Sequence, residues 1–575
     1  MLRIHEIKLD VLEPLSHLPD CIEKKLGCKD LKLKSWNVIK ESLDARDKGS
    51  IKRVYSIDFE IASFDNKVIE TEKELQKIEE VLLKRNRKIK MDIVIPKSYE
   101  YPLPRISAES MQKSKERKEN GNDLRPLIVG FGPCGMFCAL LLAQMGLQPL
   151  VLERGKEMEE RTKDVERFWK TGELDVHSNV QFGEGGAGAF SDGKLTTQIK
   201  DPRVRKVLEE LVAAGSDKDI LYKQKPHIGT DVLRNVVVNI RKQIIELGGE
   251  IRFESQVTSL ELENKKMKGV YINHKEFIPA EFVVLALGHS ARDTVKMLYE
   301  SGVEIVQKPF SMGVRIEHPQ SMIDESQYGK RYREYHLGAA DYKISHRCSS
   351  GRGVYTFCMC PGGLVIAAAS EEGGVVTNGM SYHSRDLENA NSGLLVDVRT
   401  EDFASDHPLA GIHFQQKYEK LTFELGGCNY HAPAQRVGDF MKDCVSFEET
   451  SHSMYKVQPS YKPGIVWENL KDCLPEFVTE SIKEALPFLG KKMKGFDCED
   501  AVMTALESRS SSPVRIVRGK DCTCNIKGVY PGGEGAGYAG GIVSAAVDGI
   551  KIAEEIALVY KNRIAYKERR NENGN

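Results

Sequence analysis

Residues 125–155 read RPLIVGFGPCGMFCALLLAQMGLQPLVLERG, and this stretch decides the fold. The apolar run Leu127–Val129 is typical of a buried parallel strand. A glycine-rich turn follows it, then an apolar helix that is predicted to end at Gly146, then a second strand that leads into Glu153. Strand, glycine turn, helix, strand and acid in this order predict a Rossmann-type dinucleotide-binding unit. The glycines of the turn are Gly130, Gly132 and Gly135.

Each glycine of this turn has a predicted physical role. Gly130 permits a tight turn out of the strand, Gly132 lets a pyrophosphate approach the backbone, and Gly135 lets the helix pack on the sheet. The helix N-terminus offers unpaired N–H groups and a partial positive charge to the phosphates. Glu153 is placed to accept hydrogen bonds from a ribose, and an acid at this point favours FAD or NAD over NADP.

The composition excludes several classes of protein. The formal net charge of the 575 residues is −1, so no global field attracts nucleic acid or a membrane. No apolar run approaches the roughly 18 residues of a membrane-spanning helix, and no signal segment is recognised. The thirteen cysteines follow no disulfide-framework spacing, which predicts a cytoplasmic protein. The fourteen histidines show no zinc-ligand spacing, so no metal site is predicted.

Residues 1–97 are predicted to form a separate α+β domain. Their predicted order of elements, β-α-β-β-α-β, is that of the ferredoxin-like fold, and the domain is expected to fold by itself. This fold hosts many functions and by itself argues for none of them. Residues 98–123 are polar and charged, and they are predicted to form a linker.

The remainder of the chain predicts a nucleotide domain that is interrupted by a second domain. Residues 124–300 are its first part, residues 301–505 a mixed α/β substrate domain that covers the cofactor, and residues 506–561 its C-terminal part. Residues 562–575 are predicted to be a polar, frayed tail. The predicted fold class is α/β with α+β parts: a Rossmann-type domain with an inserted domain and an N-terminal ferredoxin-like domain.

Several motifs make the chain resemble a known superfamily. Together they resemble the glutathione-reductase-type flavoproteins and, within them, the FAD-dependent dehydrogenases described as NAD(FAD)-utilising. The resemblance covers nearly the whole chain; it implies the fold and FAD, and it implies little about the substrate. The motifs are SLDAR (Ser42–Arg46), FGEGGAGAFSDGKL (182–195), KPFSMGVRIEHP (308–319), CMCPGG (358–363), ESRSSSPVRI (507–516) and GEGAGYAGGI (533–542).

The resemblance also implies how FAD is held. A strand that ends at Gly288 returns beside the first glycine turn, Glu534 binds the ribityl chain, and the backbone of Val257 contacts the adenine. Independently, the five glycines between positions 183 and 193 indicate that this backbone closely approaches another group, such as FAD; the alternative is an ordinary surface loop. The predicted cofactor-binding residues are Gly130, Gly132, Pro133, Cys134, Gly135, Glu153, Arg154, Gly185, Gly186, Gly188, Val257, Ala286, Gly288, Gly533, Glu534, Gly535, Gly541 and Ile542.

Three side chains are candidates for a catalytic role beside the flavin, which itself carries the redox chemistry. Lys194 is a cation that could stabilise a reduced flavin anion. Arg315 interrupts an apolar strand, where it either pairs with Glu317 or faces a substrate anion. Cys360 forms a C-x-C pair with Cys358, unlike the C-x-x-C of disulfide reductases, and a strand would place both thiols on one face in a packing role.

Two alternatives concern electron supply and overall role. The chain lacks a second complete strand–GxGxxG–helix unit, so either NAD(P)H visits transiently or electrons come from another donor.

A flavoprotein scaffold could also serve RNA modification or protein assembly through residues 1–97. RNA binding requires exposed aromatic residues among basic ones, and acids are interspersed here, so a nucleic-acid partner is not expected. The sequence leaves the substrate and the oligomeric state open.

Overall fold

The structure is a computed structural model, and it describes most of the chain as two compact units. The predicted linker 98–123 lies largely outside the described residues. The first unit comprises Met1–Glu100, Asp217–His227 and Asp324–Ala340, and the second comprises the rest. The described residues are 1–28, 31–64, 67–69, 71–85, 89–95, 98–106, 125–447 and 456–572.

The first unit contains an antiparallel sheet whose strand order is β2-β3-β1-β5, with β4 paired to β3. This order, with one helix after β1 and one before β5, confirms the predicted ferredoxin-like fold. Two later chain segments complete the unit: Lys223 bridges Glu41 of an edge strand, and Tyr335 packs with Val11 and Ile51. The elements are β1 (Leu2–Asp10), α1 (Leu18–Leu26), β2 (Lys32–Asp44), β3 (Lys52–Phe64), β4 (Lys67–Val68), α2 (Glu72–Arg85) and β5 (Met91–Ile93).

The second unit contains a five-stranded parallel sheet with the order β24-β12-β6-β7-β8. Its three central strands are buried throughout, as parallel strands covered on both faces must be. The sheet confirms the predicted Rossmann-type domain. Its strands are β6 (Leu127–Val129), β7 (Leu150–Leu152), β8 (Glu250–Arg252), β12 (Val283–Leu285) and β24 (Val529–Pro531).

Helices and a small antiparallel sheet accompany the parallel sheet. The helix after the first glycine turn is buried on every side, which explains its uniformly apolar sequence. These helices are α3 (Pro133–Gln144), α4 (Met158–Thr171), α5 (Arg203–Ala213), α6 (Thr230–Glu246) and α7 (Arg292–Glu300). The small sheet consists of β9 (Val257–Glu263), β10 (Lys266–Ile272) and β11 (Glu276–Pro279).

The inserted part is organised around a seven-stranded sheet with the order β15-β16-β19-β14-β22-β20-β21. Two further sheets have two strands each: β13 pairs with β23, and β17 pairs with β18. The elements are β13 (Ile305–Gln307), β14 (Phe310–Pro319), α8 (Gln320–Tyr328), β15 (Ser345–Arg347), β16 (Gly353–Cys360), β17 (Gly363–Ala367), β18 (Thr377–Ser381), β19 (Asn389–Val398), α9 (Ala410–Leu425), β20 (Ala432–Arg436), α10 (Val437–Phe440), β21 (Ile465–Trp467), α11 (Glu476–Lys492), β22 (Val502–Glu507) and β23 (Val514–Ile516).

The C-terminal residues differ from the prediction of a polar, frayed tail beginning at residue 562. The last helix, α12, runs over Ile542–Glu572. Eight of the twelve residues 561–572 are Lys, Arg, Glu or Ala, which are strong helix formers. Polarity alone was therefore a poor indicator of where the helix ends.

Candidate functional site

The first glycine turn lies between β6 and α3, where its predicted packing roles are fulfilled. A Cβ at Gly130, whose φ is +100°, would lie 2.4 Å from the carbonyl oxygen of Ala286. A Cβ at Gly135 would lie 2.0 Å from the carbonyl oxygen of Gly130. No side chain fits at either position, so Ala286, the residue after β12, lies directly against the turn, as predicted.

The second glycine-rich segment packs on the first turn. A Cβ at Gly186 would lie 3.0 Å from the Cα of Gly132, and one at Gly188 would lie 3.3 Å from Ile542. The fully buried Arg161 holds the segment by donating to the carbonyl oxygens of Asn179, Val180 and Glu184. Of the two predicted alternatives, the surface loop is wrong; contact of this segment with the cofactor stays a prediction.

The third glycine turn, which follows β24, reaches the same place. A Cβ at Gly533 would lie 2.8 Å from the Cβ of Cys134, at the start of α3. A Cβ at Gly535 would lie 2.2 Å from the carbonyl oxygen of Gly288. Three glycine turns that are far apart in the sequence therefore meet at the N-terminus of α3.

Open space remains where these turns meet. A Cβ at Gly288 or Gly540 would meet no atom within 4 Å, and one at Gly132 would come no closer than 3.8 Å to another atom. The helices α3 and α12 begin beside this space, and helix N-termini favour anionic phosphates. Among the described residues, the buried Nε2 of His289 has no hydrogen-bond partner. A dinucleotide such as FAD fits this glycine-lined cradle, which also offers it a spare polar group.

Glu153, the predicted ribose ligand, is already bound to backbone donors. Its carboxylate accepts hydrogen bonds from the amides of Phe131 at 2.8 Å, Gly155 at 3.0 Å and Gly183 at 2.9 Å. The side chain is 5% exposed. Glu153 thus ties the first glycine turn to the second glycine-rich segment, and one of its four lone-pair positions remains for a ribose hydroxyl. Its ribose contact stays a prediction.

Arg154 and Val257, also predicted to contact the cofactor, have structural partners. The Arg154 guanidinium donates to Asp293 at 2.8 Å and stacks 4.3 Å over the ring of Phe182. Burial acts to raise the pKa of Asp293, but its hydrogen bond from Arg154 lowers it overall. Val257 is buried in β9 within the core that supports the parallel sheet. Neither placement tests the predicted cofactor contact.

Glu534, the predicted ribityl ligand, lies among charged groups. Its Oε1 is 3.2 Å from Nδ1 of His289, the residue that follows Gly288. Burial and the nearby positive charge of Arg515 lower the pKa of Lys308. The negative charge of Glu534 acts in the opposite direction but is the smaller effect. We did not single out Lys308 from the sequence, although it opens the KPFSMGVRIEHP motif.

The three catalytic candidates come together at one bulge of β16. The pairing of β16 with β19 shifts its register between Phe357 and Cys360, and Cys358 has a φ of +42°. The carbonyl oxygen of Cys358 accepts hydrogen bonds from Arg315 at 2.8 Å and from the thiol of Cys360 at 3.2 Å. Lys194 donates to the carbonyl oxygen of Met359. Arg315 and Lys194 therefore both bind the backbone of the bulge that carries the two thiols.

The bulge corrects the prediction that both thiols share one face. Cys360 is buried whereas Cys358 is exposed, because the extra residue of the bulge breaks the alternation of the strand. Protein nevertheless surrounds Cys358 closely enough that burial raises the pKa of its thiol to about 12. Cys358 is therefore the accessible thiol of the pair, and it is protonated at neutral pH.

Arg315 has a different partner from the one predicted. Its guanidinium is fully buried and donates to Glu507 on β22, at 3.0 Å through Nη2. Burial acts to lower the pKa of Arg315, and the charge of Glu507 raises it overall. Glu317, the predicted partner, instead accepts hydrogen bonds from Ser460 and Asn389. Arg315 therefore joins two strands beneath the bulge.

An ion pair that the sequence analysis missed supports the third glycine turn. Asp548 of α12 accepts a hydrogen bond from the amide of Gly533 at 2.8 Å and two from Arg518. Arg518 also donates to the carbonyl oxygen of Pro531 at 2.7 Å and stacks 3.8 Å over Tyr538. Asp548 is an isolated acid in a small-residue helix, and that was the signal available in the sequence.

We expect Asp548→Ala to weaken FAD binding about tenfold, or about 1.4 kcal/mol, because the turn that presents Glu534 loses its anchor. The measurement is the dissociation constant of FAD, obtained by titrating the flavin-free protein. Asp521→Ala, which changes an exposed acid upstream of β24, is the control and should bind FAD normally. Equal affinities in the two variants would contradict a positioning role for Asp548.

Two family models match parts of the chain. Residues 309–510 match the family described as "FAD-dependent protein, C-terminal domain-like", and residues 1–60 match "Domain of unknown function (DUF8436)". The first match confirms FAD, the cofactor predicted from the sequence. Within the described ranges, every helix is too short or too polar to cross a membrane.

Solved structures give only distant likenesses. A geranylgeranyl bacteriochlorophyll reductase-like protein from Thermoplasma acidophilum has 12% identity and a TM-score of 0.35, covering 78% of this chain and 83% of that one. The flavin-dependent brominase Bmp2, as a triple mutant, has 13% identity and a TM-score of 0.34, covering 76% and 80%.

A full-length relative gives a much stronger match. A protein of Clostridium beijerinckii (strain ATCC 51743 / NCIMB 8052), which bears the name "Uncharacterized protein", is 47% identical over 559 residues. The match covers 96% of this chain and 98% of that one, so it includes all three glycine turns and the bulge. The chain therefore belongs to the same protein family as this clostridial relative.

Proposed function

We propose that the protein is an FAD-dependent oxidoreductase that exchanges a hydride or electrons with a small-molecule substrate. The observation that carries the proposal is the meeting of three glycine turns around open space at the N-terminus of α3. Such a cradle suits a pyrophosphate, and the C-terminal match to FAD-dependent proteins agrees with it. We place the protein in the cytoplasm, since its thirteen cysteines follow no disulfide-framework spacing.

The residues of the cradle divide the work of holding FAD. Gly132 and the α3 N-terminus receive the pyrophosphate, Glu153 offers its remaining lone pair to a ribose, and Glu534 faces the ribityl hydroxyls. Bound FAD supplies the hydride and electron transfer. Lys308, close to Glu534, adds positive charge that favours an anion at this end of the cradle.

We assign the substrate to the surface around the exposed Cys358 at the β16 bulge. Lys194 connects the FAD cradle with the bulge. It follows the glycine-rich segment, whose Gly186 packs on Gly132, and it donates a hydrogen bond to the carbonyl oxygen of Met359 in the bulge. The accessible Cys358 lines this site, and burial keeps its thiol protonated at neutral pH. The thiol would therefore contact the substrate as a neutral group. NAD(P)H would reach the site only transiently.

The proposal is tested by the bound cofactor and by its reduction. The purified protein should be yellow and should release FAD on denaturation. Under anaerobic conditions, NADH and NADPH are offered separately and bleaching of the flavin absorbance is followed, and a panel of small-molecule acceptors is then used to restore the absorbance. A protein that binds no FAD after reconstitution would contradict the proposal, and bleaching by neither nucleotide would reject NAD(P)H as donor.

We expect Glu534→Ala to weaken FAD binding about 10- to 100-fold, since hydrogen bonds to a charged group contribute roughly 1.5–3 kcal/mol. The fold should be retained, because Glu534 is partly exposed and packs against no core cluster of the described residues. The measurement is the FAD dissociation constant together with far-ultraviolet circular dichroism. Glu304→Ala, at an exposed position outside the cradle, is the control. Unchanged affinity for FAD would leave Glu534 with only its His289 contact.

A further inference from the structure

Three side chains with metal-binding atoms lie close together in a part of the chain that contains none of the three glycine turns. His346 lies on β15, Cys348 follows that strand directly, and Glu484 lies on α11. One ligand atom of each, a ring nitrogen, the Sγ and a carboxylate oxygen, lies within 4.8 Å of the other two. The proposed flavin chemistry uses none of the three.

The local structure holds the three groups in place. The turn after Cys348 is closed by backbone bonds from Cys348 to Arg352 and from Gly351 to Cys348, both 2.8 Å long. Ser349 fixes the Glu484 carboxylate by donating through its amide at 2.6 Å and its hydroxyl at 2.9 Å. These bonds occupy one lone pair of each carboxylate oxygen and leave the others available.

His346 is positioned by its neighbours and opens onto a cavity. Its ring stacks on Phe488 with the centroids 4.2 Å apart, which fixes the plane of the imidazole. The cavity has a volume of about 510 Å³ and is lined by His346, Arg347, Asp397 and Lys492, among others. Cys348, in contrast, is only 4% exposed. The cluster therefore has a buried side at the thiol and an accessible side at the imidazole.

We propose that His346, Cys348 and Glu484 bind a Zn²⁺ ion, with its fourth position open to the cavity. Thiolate, imidazole and carboxylate are the usual protein ligands of zinc, and three of them plus water complete a tetrahedron. Zinc–ligand bonds of about 2.0–2.3 Å place neighbouring ligand atoms about 3.4–3.6 Å apart. Since the three ligand atoms lie within 4.8 Å of one another, each pair must approach by about 1.4 Å at most to reach these distances.

The alternative is a purely structural role, in which the same contacts only hold the β15–β16 turn against α11. In that case the Cys348 thiol serves as a weak donor to the carbonyl oxygen of Ser481, 3.4 Å away. A fastening role predicts that loss of Cys348 or Glu484 lowers stability without any effect of metal. A zinc site predicts stoichiometric binding that depends on all three side chains.

The test uses the full-length protein with its FAD. Equilibrium dialysis against Zn²⁺, followed by elemental analysis, should give one ion per chain in the natural protein. His346→Ala, Cys348→Ser and Glu484→Gln should each weaken binding at least about tenfold. The matched controls His413→Ala and Cys428→Ser change exposed residues outside the cluster and should bind Zn²⁺ normally.

Cobalt substitution provides a second readout. Co²⁺ bound through Cys348 should give a thiolate-to-metal charge-transfer band in the difference spectrum against the metal-free holoprotein. Cys348→Ser should remove this band, and Cys428→Ser should keep it. The FAD content of every variant should remain unchanged, so failure of the zinc site and failure of the flavin proposal are distinguishable. No stoichiometric Zn²⁺ in the natural protein, or no charge-transfer band, would overturn the proposal.

Discussion

Replacing Gly132 with valine is expected to abolish FAD binding while the protein still folds. The backbone of Gly132 has a φ of −77°, which valine adopts without strain, and a Cβ there would meet no atom closer than 3.8 Å. The space that the side chain would occupy is the space that the pyrophosphate needs. The measurement is flavin released per chain after denaturation, together with circular dichroism of the intact protein.

Two further glycines make this result interpretable. Gly338→Val also places valine at an exposed glycine with open space around it, but outside the three glycine turns, and should retain full FAD. Gly135→Val should instead fail to fold, because its Cβ would lie 2.0 Å from the carbonyl oxygen of Gly130. A Gly132→Val protein that folds and carries normal FAD would contradict the assignment of the cradle.

Replacing Glu419 with alanine is expected to lower the free energy of unfolding by about 3–5 kcal/mol, the usual cost of breaking a buried ion pair. The Glu419 carboxylate on α9 accepts hydrogen bonds from Arg292 and Arg509, and all three side chains are at most 3% exposed. Its loss leaves two buried guanidinium groups whose anionic neighbour, within the part of the chain that the structure describes, is Glu371. The midpoint of chemical denaturation measures the effect.

This destabilisation should depend on pH. Burial acts to raise the pKa of Glu419, but Arg292 and Arg509 hold it far below its ordinary value of 4.5. A carboxyl with a depressed pKa stabilises the fold above its unfolded pKa, and this contribution is lost as the pH falls below about 4.5. The difference between the natural protein and Glu419→Ala should therefore shrink in acid.

Glu424→Ala is the matched control for this prediction, since Glu424 lies on the same helix and is exposed. It should leave the denaturation midpoint unchanged within error. Equal stability of Glu419→Ala and the natural protein at neutral pH would show that the remaining partners, Glu371 and Gln415, satisfy both arginines without Glu419.

Local sequence patterns predicted the Rossmann-type and ferredoxin-like parts well. The glycine spacing from Gly130 to Gly135 specifies a strand–turn–helix unit within about a dozen residues, so every determinant lies in the printed stretch. Gly27 ends α1 with a φ of +64°, as glycine does at helix C-termini, so this boundary is also determined by a local residue. Turns and helix ends of this kind can be predicted because the residues that determine them lie at the turn or helix end itself.

Partners that lie far apart in the sequence could not be predicted in this way. Arg315 pairs with Glu507, 192 residues later, rather than with its near neighbour Glu317. The register shift that separates Cys358 from Cys360 depends on the pairing of β16 with β19. Periodicity contains no information on which strand becomes the neighbour of another, so these features emerge only from the assembled sheets.

The late position of β24 has a consequence for synthesis of the protein on the ribosome. β24 pairs with β12 at the edge of the parallel sheet, yet about 400 residues separate it from β6. At roughly 5–20 residues per second, it emerges about 20–80 s after the first glycine turn. From its own synthesis until β24 follows about 245 residues later, roughly 12–50 s at these rates, the apolar strand Val283–Leu285 has an unpaired edge, which is a template for aggregation. The nascent chain would therefore depend on chaperones until its last strand has been translated.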